Sequence, residues 1–203
     1  MKKNIISALC AVLVAFAVYV DADAKMTTHK VVKGDTMWKI AVKYEVGLSE
    51  IISANPQITN PALIYPGQVL NIPTISSSVA NYENEVVRLV NEIRTQNGLK
   101  SLNTDWELSR VARIKSQDMN DLGYFSHTSP TYGSPFQMMK NFGISYKSAA
   151  ENIAHGQKSP QAVVNAWMNS SGHRKNILNS TYNKIGVGYV EKGNYWTQLF
   201  IKQ

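Results

Sequence analysis

Two histidines stand in settings that could do chemistry. His127 lies in the stretch Tyr124-Phe125-Ser126-His127-Thr128-Ser129-Pro130, and His173 follows Ser170-Ser171-Gly172 at a predicted helix start. Neither sits on an apolar helical face, where an imidazole usually serves only the core. With a carboxylate such as Glu151, two imidazoles could hold a divalent metal such as zinc with one position open. They could equally pass protons, because histidine titrates near neutrality, or tie loops together by hydrogen bonds. The residues alone leave these three readings open. His29 and His155 have no comparable context and read as surface or loop residues.

Several enzyme templates are excluded. There is no His-Glu-x-x-His zinc-protease helix and no Gly-x-Ser-x-Gly elbow in the sequence. Cys10, the one cysteine, lies in a predicted leader, so a mature chain has neither thiol nucleophile nor disulfide. Glycoside hydrolysis normally places two carboxylates about the bond. Glu107, Asp118 and Asp121 are candidates for a second acid, but no spacing sets any of them beside Glu151.

The leader decides the compartment. Lys2 and Lys3 precede an uncharged run from Ile5 to Val20, and Ala22-Asp23-Ala24 has the small-x-small pattern of a cleavage site. Residues 1–24 are therefore expected to be a signal peptide cut after Ala24. The run is short for a bilayer crossing, which takes roughly 20 apolar residues, so no stable membrane insertion is expected after cleavage. A net charge of +7 favours anionic partners, and export excludes nucleic acid among them.

Two units follow, with residues 74–81 as an expected polar linker. The first, 25–73, reads strand, helix, helix, strand. Asp35 or Thr36 can cap a helix bearing Met37, Ile40, Ala41 and Tyr44, with Trp38 in the core. Gly47 ends that helix, Ser49 can cap the next, and Pro66-Gly67 turns into a closing strand at Val69, Leu70 and Ile72. The second unit, 82–203, opens with an amphipathic helix through Val86, Val87, Leu89, Val90 and Ile93. Another helix is expected from Asp105 to Leu122. Ser134-Pro135 and Ser159-Pro160 are cap-and-proline helix starts. Strands at 149–154, 185–190 and 195–201, the last two joined by Glu191-Lys192-Gly193-Asn194, make an α+β layered domain.

Residues 29–73 resemble a LysM module. The resemblance is carried by Val32-Lys33-Gly34-Asp35-Thr36-Met37-Trp38-Lys39-Ile40-Ala41, by Asn55-Pro56, and by Ile64-Tyr65-Pro66-Gly67-Gln68-Val69-Leu70-Asn71-Ile72-Pro73. It implies binding to N-acetylglucosamine (GlcNAc) glycans, chiefly peptidoglycan or chitin. The implied groove lies between Gly34, Asp35, Thr36 and Met37 on one loop and Asn60 through Tyr65 on the other, with Leu63 and Ile64 against the sugar. For Asp35 a helix cap is the competing role.

Residues 82–203 resemble the CAP superfamily in its bacterial extracellular, SCP-like branch. The carrying residues include Asn91-Glu92-Ile93-Arg94, Tyr124 to Pro130, Ala150-Glu151-Asn152-Ile153-Ala154, Trp167-Met168-Asn169-Ser170, Gly172-His173-Arg174 and Ile185-Gly186-Val187-Gly188-Tyr189. The resemblance implies an α-β-α sandwich and a cleft holding two histidines and two acids. His127, Glu151 and His173 match three of those positions, and Ser170 stands at the fourth. Taken together, the resemblances imply a secreted protein of the cell wall or spore envelope, with peptidoglycan and wall or spore-coat proteins as partners. Its CAP pocket would bind a ligand or metal and require no cofactor. The alternative is a wall-acting hydrolase using Glu151 and the two histidines.

Overall fold

The computed structural model describes residues 25–203. The expected signal peptide, 1–24, lies outside them. Among the described residues no helix is long and apolar enough to cross a membrane.

In the small unit, β1 (Lys25–Lys30) pairs antiparallel with β2 (Val69–Thr74), with His29 opposite Leu70. Helices α1 (Met37–Tyr44) and α2 (Leu48–Ser53) cover one face of the pair. Their core is Val31, Met37, Ile40, Ala41, Ile51, Leu70 and Ile72. Asn55 is buried and ties α2 to β2, donating to the carbonyls of Ile51 and Asn71 and accepting from Asn71 N.

One alternative is decided and three local expectations need correction. Thr36, not Asp35, caps α1, by accepting from Lys39 N at 3.1 Å. Glu45, in the left-handed region at φ 54°, closes that helix. Gly47 then serves as N-cap of α2, two residues earlier than Ser49 would allow. Trp38 is 53% exposed, because Met37 and Ile40 already fill the buried side of so short a helix.

The expected linker is largely ordered. Thr74 still belongs to β2, and Ser76 caps the long helix α3 (Ser77–Gln96) by accepting from Val79 N. Only Ile75 and Ser76 separate the two units. The serine run that reads as a spacer acts instead as a helix start, since serine satisfies orphan backbone donors there.

The large unit continues with β3 (Asn103–Thr104), α4 (Trp106–Leu122), α5 (Pro135–Asn141), β4 (Ser148–His155), α6 (Pro160–Asn169), α7 (Ser171–Ile177), β5 (Lys184–Val190) and β6 (Tyr195–Lys202). Its sheet has the order β3-β5-β6-β4, so β4 is an edge strand. One face packs on α3 and α6 around Val86, Val90, Val163, Trp167, Trp196 and Phe200. The other packs on α4 and α5 around Leu108, Val111, Met138, Met139 and Leu199. This is the expected α-β-α sandwich, with Asp105, Ser134 and Ser159 capping α4, α5 and α6.

Helix α4 lies unusually close to β5. A Cβ at Gly188 would stand 2.1 Å from Arg113 N, and one at Gly186 would stand 2.4 Å from the Leu108 carbonyl carbon. Glu83 of α3 reaches across to accept from Arg113 Nη1 at 2.7 Å and Tyr189 N at 3.0 Å. Burial pushes its carboxyl up to about 7 against the pull of Arg113. Arg94, 1% exposed, donates to the carbonyls of Lys100, Ile177 and Asn179, and so binds the end of α3 to the end of α7.

Gly188→Ala should therefore destabilise the domain by about 1–3 kcal/mol, the usual cost of overpacking. At roughly 2–4 °C per kcal/mol for a chain of this size, calorimetric unfolding should show a clear fall in Tm. Gly172→Ala, where an added Cβ meets nothing within 4 Å, should leave it near the wild-type value.

Candidate functional site

The site forms along the open edge of β4. Glu151 points from that strand with its side chain only 2% exposed, and its carboxylate accepts from His127 Nδ1 at 2.7 Å. The His127 side chain is 54% exposed, so its Nε2 is the nitrogen open to a ligand.

The loop carrying His127 is held from behind by α4. Lys115, 1% exposed, donates from Nζ to Ser126 O at 2.8 Å and to Tyr124 Oη at 2.9 Å. Asp118, one turn on, accepts from Tyr124 Oη, from Ser129 Oγ at 2.6 Å and from Thr131 Oγ1 at 2.6 Å. Ser129 Oγ in turn accepts from Thr131 N and Tyr132 N. The residues of this mount are polar, with Lys115 and Ser129 buried, and they set His127 within reach of Glu151 at the cost of burying an ammonium.

His173 comes from a separate element, α7. It sits in the first turn of α7, whose position against β4 is set by amides. Asn152 Nδ2 donates to His173 O at 3.2 Å and to Gln198 Oε1 at 3.0 Å, and Asn176 Nδ2 donates to Asn152 Oδ1 at 2.8 Å and to Glu151 O at 3.3 Å. Ser170 forms the hinge between α6 and α7 and makes no side-chain cap bond there.

The charges divide the two imidazoles. The bond to Glu151 raises the His127 pKa above its ordinary value, outweighing partial burial. Burial, with the positive charge of His127 next, lowers that of His173. Glu151 is itself raised, first by burial, with His127 and Lys115 pulling it back. The cleft is thus poised with one readily charged imidazole and one readily neutral one.

The structure brings His127 and Glu151 into contact and sets His173 near enough to feel His127. Among the described residues, however, no group of three or more His, Cys, Asp and Glu is arranged to hold a metal ion. Asp118 is fully engaged by three hydroxyls, and Asp121 is bonded to Gln117 and Asn120, so neither supplies a free second acid to Glu151. Lys115 is the site residue that the sequence reading missed. It occupies an interior turn of an amphipathic helix, a position from which a lysine normally points to solvent.

In the small unit, the two expected sugar loops are present but not all their residues face outward. Gly34, at φ +93°, and Thr36 are exposed. Met37 is 4% exposed and belongs to the core, so only its backbone can meet a sugar. Asp35 is neither helix cap nor free acceptor: it accepts from His29 Nε2 at 2.8 Å and Val32 N at 2.9 Å. The His29 bond, more than any other influence, holds its carboxyl below the usual range. His29, read as a surface residue, is 7% exposed and also bonds Tyr44 Oη at 3.1 Å. On the second loop Leu63 and Tyr65 are 51% and 55% exposed, while Ile64 leans on the core. The loop is self-supporting: Asn60 accepts from Ala62 N and Leu63 N, and Gln68 Oε1 accepts from Tyr65 N at 2.6 Å.

Residues 87–201 match the model of the cysteine-rich secretory protein family, CAP. The chain belongs to that family. Residues 29–73 match the LysM domain. This CAP protein carries a single cysteine, Cys10, despite the family's description. It is 66% identical over 125 residues to the uncharacterized protein YkwD of Bacillus subtilis, covering 62% of this chain and 49% of that one. Over 51 residues it is 47% identical to the spore coat assembly protein ExsA of Bacillus cereus, covering 25% of this chain and 8% of that protein. Among solved structures, an extracellular SCP-domain protein of Bacillus anthracis aligns with TM-score 0.60 and 33% identity over 68% of this chain and 47% of its own. The chain spans about half the length, or less, of the first curated relatives it matches, 49% and 42%.

The histidine shift has a measurable sign. In wild type, His127 should titrate above about 6.5, the ordinary histidine value, by NMR of its ring C–H resonances. In Glu151→Gln the value should drop to that figure or below. Because the folded-state pKa is raised, this pairing adds stability that is complete below the unfolded value and fades as pH rises through the folded one.

Proposed function

We propose that this chain is an exported protein of the cell wall or spore envelope. Its LysM module would bind GlcNAc glycan of peptidoglycan, and its CAP cleft would take a small polar ligand through His127, Glu151 and His173. A LysM domain joined to a CAP domain fits a cell-wall-associated protein. The likeness of a 51-residue stretch to a protein named for spore coat assembly supports the spore envelope as a location, with coat or wall proteins as further partners.

The observation that carries the cleft reading is the 2.7 Å contact between a buried Glu151 and an exposed His127, with His173 within electrostatic reach of His127. A carboxylate that holds one imidazole nitrogen orients the other toward a ligand. Binding is favoured over hydrolysis because Ser170 stands where a second acid would be and Asp118 is spent on Tyr124, Ser129 and Thr131. No cofactor is needed for this role. A divalent ion such as zinc would have to draw the three side chains closer than they stand, and isothermal calorimetry with zinc measures whether it does.

Leu63 and Tyr65 offer exposed apolar surface on a rigid loop, suited to the methyl and ring faces of an acetamido sugar. Burying one such side chain contributes about 1.5–3 kcal/mol. Residues 25–203 should co-sediment with purified peptidoglycan, and Leu63→Ala or Tyr65→Ala should weaken that by roughly tenfold, the effect of about 1.4 kcal/mol. Equal sedimentation of both variants and wild type would remove the groove from the LysM loops. On a wall zymogram, wild type and Glu151→Gln should both leave the substrate intact; clearing by wild type that vanishes in the variant would establish the hydrolase instead.

A further inference from the structure

The two units are joined by more than chain continuity. Arg110, on the outer side of α4, donates from Nε to Glu50 Oε1 at 2.6 Å and from Nη2 to Glu50 Oε2 at 2.8 Å. Glu50 belongs to α2 of the LysM module, sixty residues earlier. Both side chains are 16% exposed. This is the two-pronged guanidinium–carboxylate geometry, the most directional of ion pairs. Ser49 completes it, donating to Glu50 Oε2 at 2.8 Å and accepting from Arg110 Nη2 at 3.2 Å. Behind, the guanidinium carbon stands 5.2 Å from the Phe142 ring centroid, so the arginine is pinned by the aromatic end of α5.

The LysM backbone leaves room for this contact. Gly47 has ordinary extended angles, φ −70° and ψ 146°, so glycine is not needed there for conformation. A Cβ at that position would meet Glu50 Oε2 at 1.9 Å and the Arg110 guanidinium at 2.3 Å. The absent side chain is the space the clasp fills. Away from it, Glu45 and Ile75 face Ala80, Trp106 and Arg113 across an open cleft, so the junction is narrow and polar rather than a shared core.

We propose that Arg110 and Glu50 clasp the LysM module to the CAP domain, so that the sugar loops and the β4 cleft move as one body. Two modules joined by a small polar interface otherwise move independently by default. With only Ile75 and Ser76 between β2 and α3, the clasp needs to remove only a hinge motion, and one bidentate contact can do that. The glycan strand gripped by the LysM module would then meet the CAP cleft at a set angle rather than anywhere within reach of a tether. The clasp itself does not depend on what either module binds.

The test is the tumbling of each module, read from 15N relaxation in residues 25–203. In wild type, amides of 25–74 and of 77–203 should report one rotational correlation time. Arg110→Ala should separate them, the smaller module tumbling roughly twofold faster, as its size requires. Gly47→Ala should do the same with both charges kept, because its methyl occupies the clasp. Arg88→Ala, which removes two exposed ion pairs within α3, should change nothing. Amide shifts remote from the junction check that each variant is folded. Two correlation times in wild type, or one in both Arg110→Ala and Gly47→Ala, would overturn the clasp.

Discussion

Helix α4 can lie only as close to the sheet as Gly186 and Gly188 permit, and nearly every feature of interest hangs on that approach. With no side chains on β5 at those points, the α4 backbone itself packs against the strand. The helix then presents a different polar residue to each surrounding element. Arg110 meets the LysM module, Arg113 meets Glu83 of α3, and Lys115 and Asp118 hold the loop that delivers His127. Ser116 enters the sheet itself, donating to Gly188 O and sharing a hydroxyl–hydroxyl bond with Thr197 Oγ1. One helix thus coordinates both modules and the cleft. A shift of α4 by the width of a methyl group would disturb all of them together.

The cleft shows how buried charge is put to use. Taking an ammonium and a carboxylate out of water is costly unless each finds partners. Lys115 finds the Tyr124 hydroxyl, the Ser126 carbonyl and the field of Glu151 and Asp118, while Glu151 finds His127. These partners lie on α4, the following loop and β4. The polar groups that offset burial are therefore the same ones that fix the relative placement of those elements. Stability and site geometry cannot be varied separately here. A substitution at Lys115 that spared the fold would still release the loop bearing His127.

The LysM module reaches rigidity by a different route. Its short elements bury few side chains, and hydrogen bonds do much of the fixing. The His29–Asp35 bond staples β1 to the first loop, Asn55 staples α2 to β2, and Gln68 and Asn60 support the second loop. This explains why Asp35 and Met37 are not exposed contacts. One is consumed in holding the loop, the other in filling the core beneath it. What stays outward, Leu63, Tyr65 and the backbone about Gly34, is carried on loops that are already set.

Read alone, the sequence determined the two units, their order and most of their elements. Local rules suffice for these: serine or aspartate caps ahead of apolar runs of helical period, proline in first turns, and alternating strands about a Gly-Asn turn. His127, Glu151 and His173 were legible as well, since their flanking residues form recognisable motifs. Tertiary structure alone decided which polar residues face inward. Lys115, Arg94 and His29 look like surface residues because burial depends on partners that lie far along the chain or across a turn. The same holds for Trp38, which composition assigns to a core and a short helix turns outward, and for Ser77 to Ala80, polar enough for a linker yet wound into α3. Glu50 and Arg110 carry no signal of their pairing. Each is an ordinary charge on a helix, and only the fold brings the two helices together.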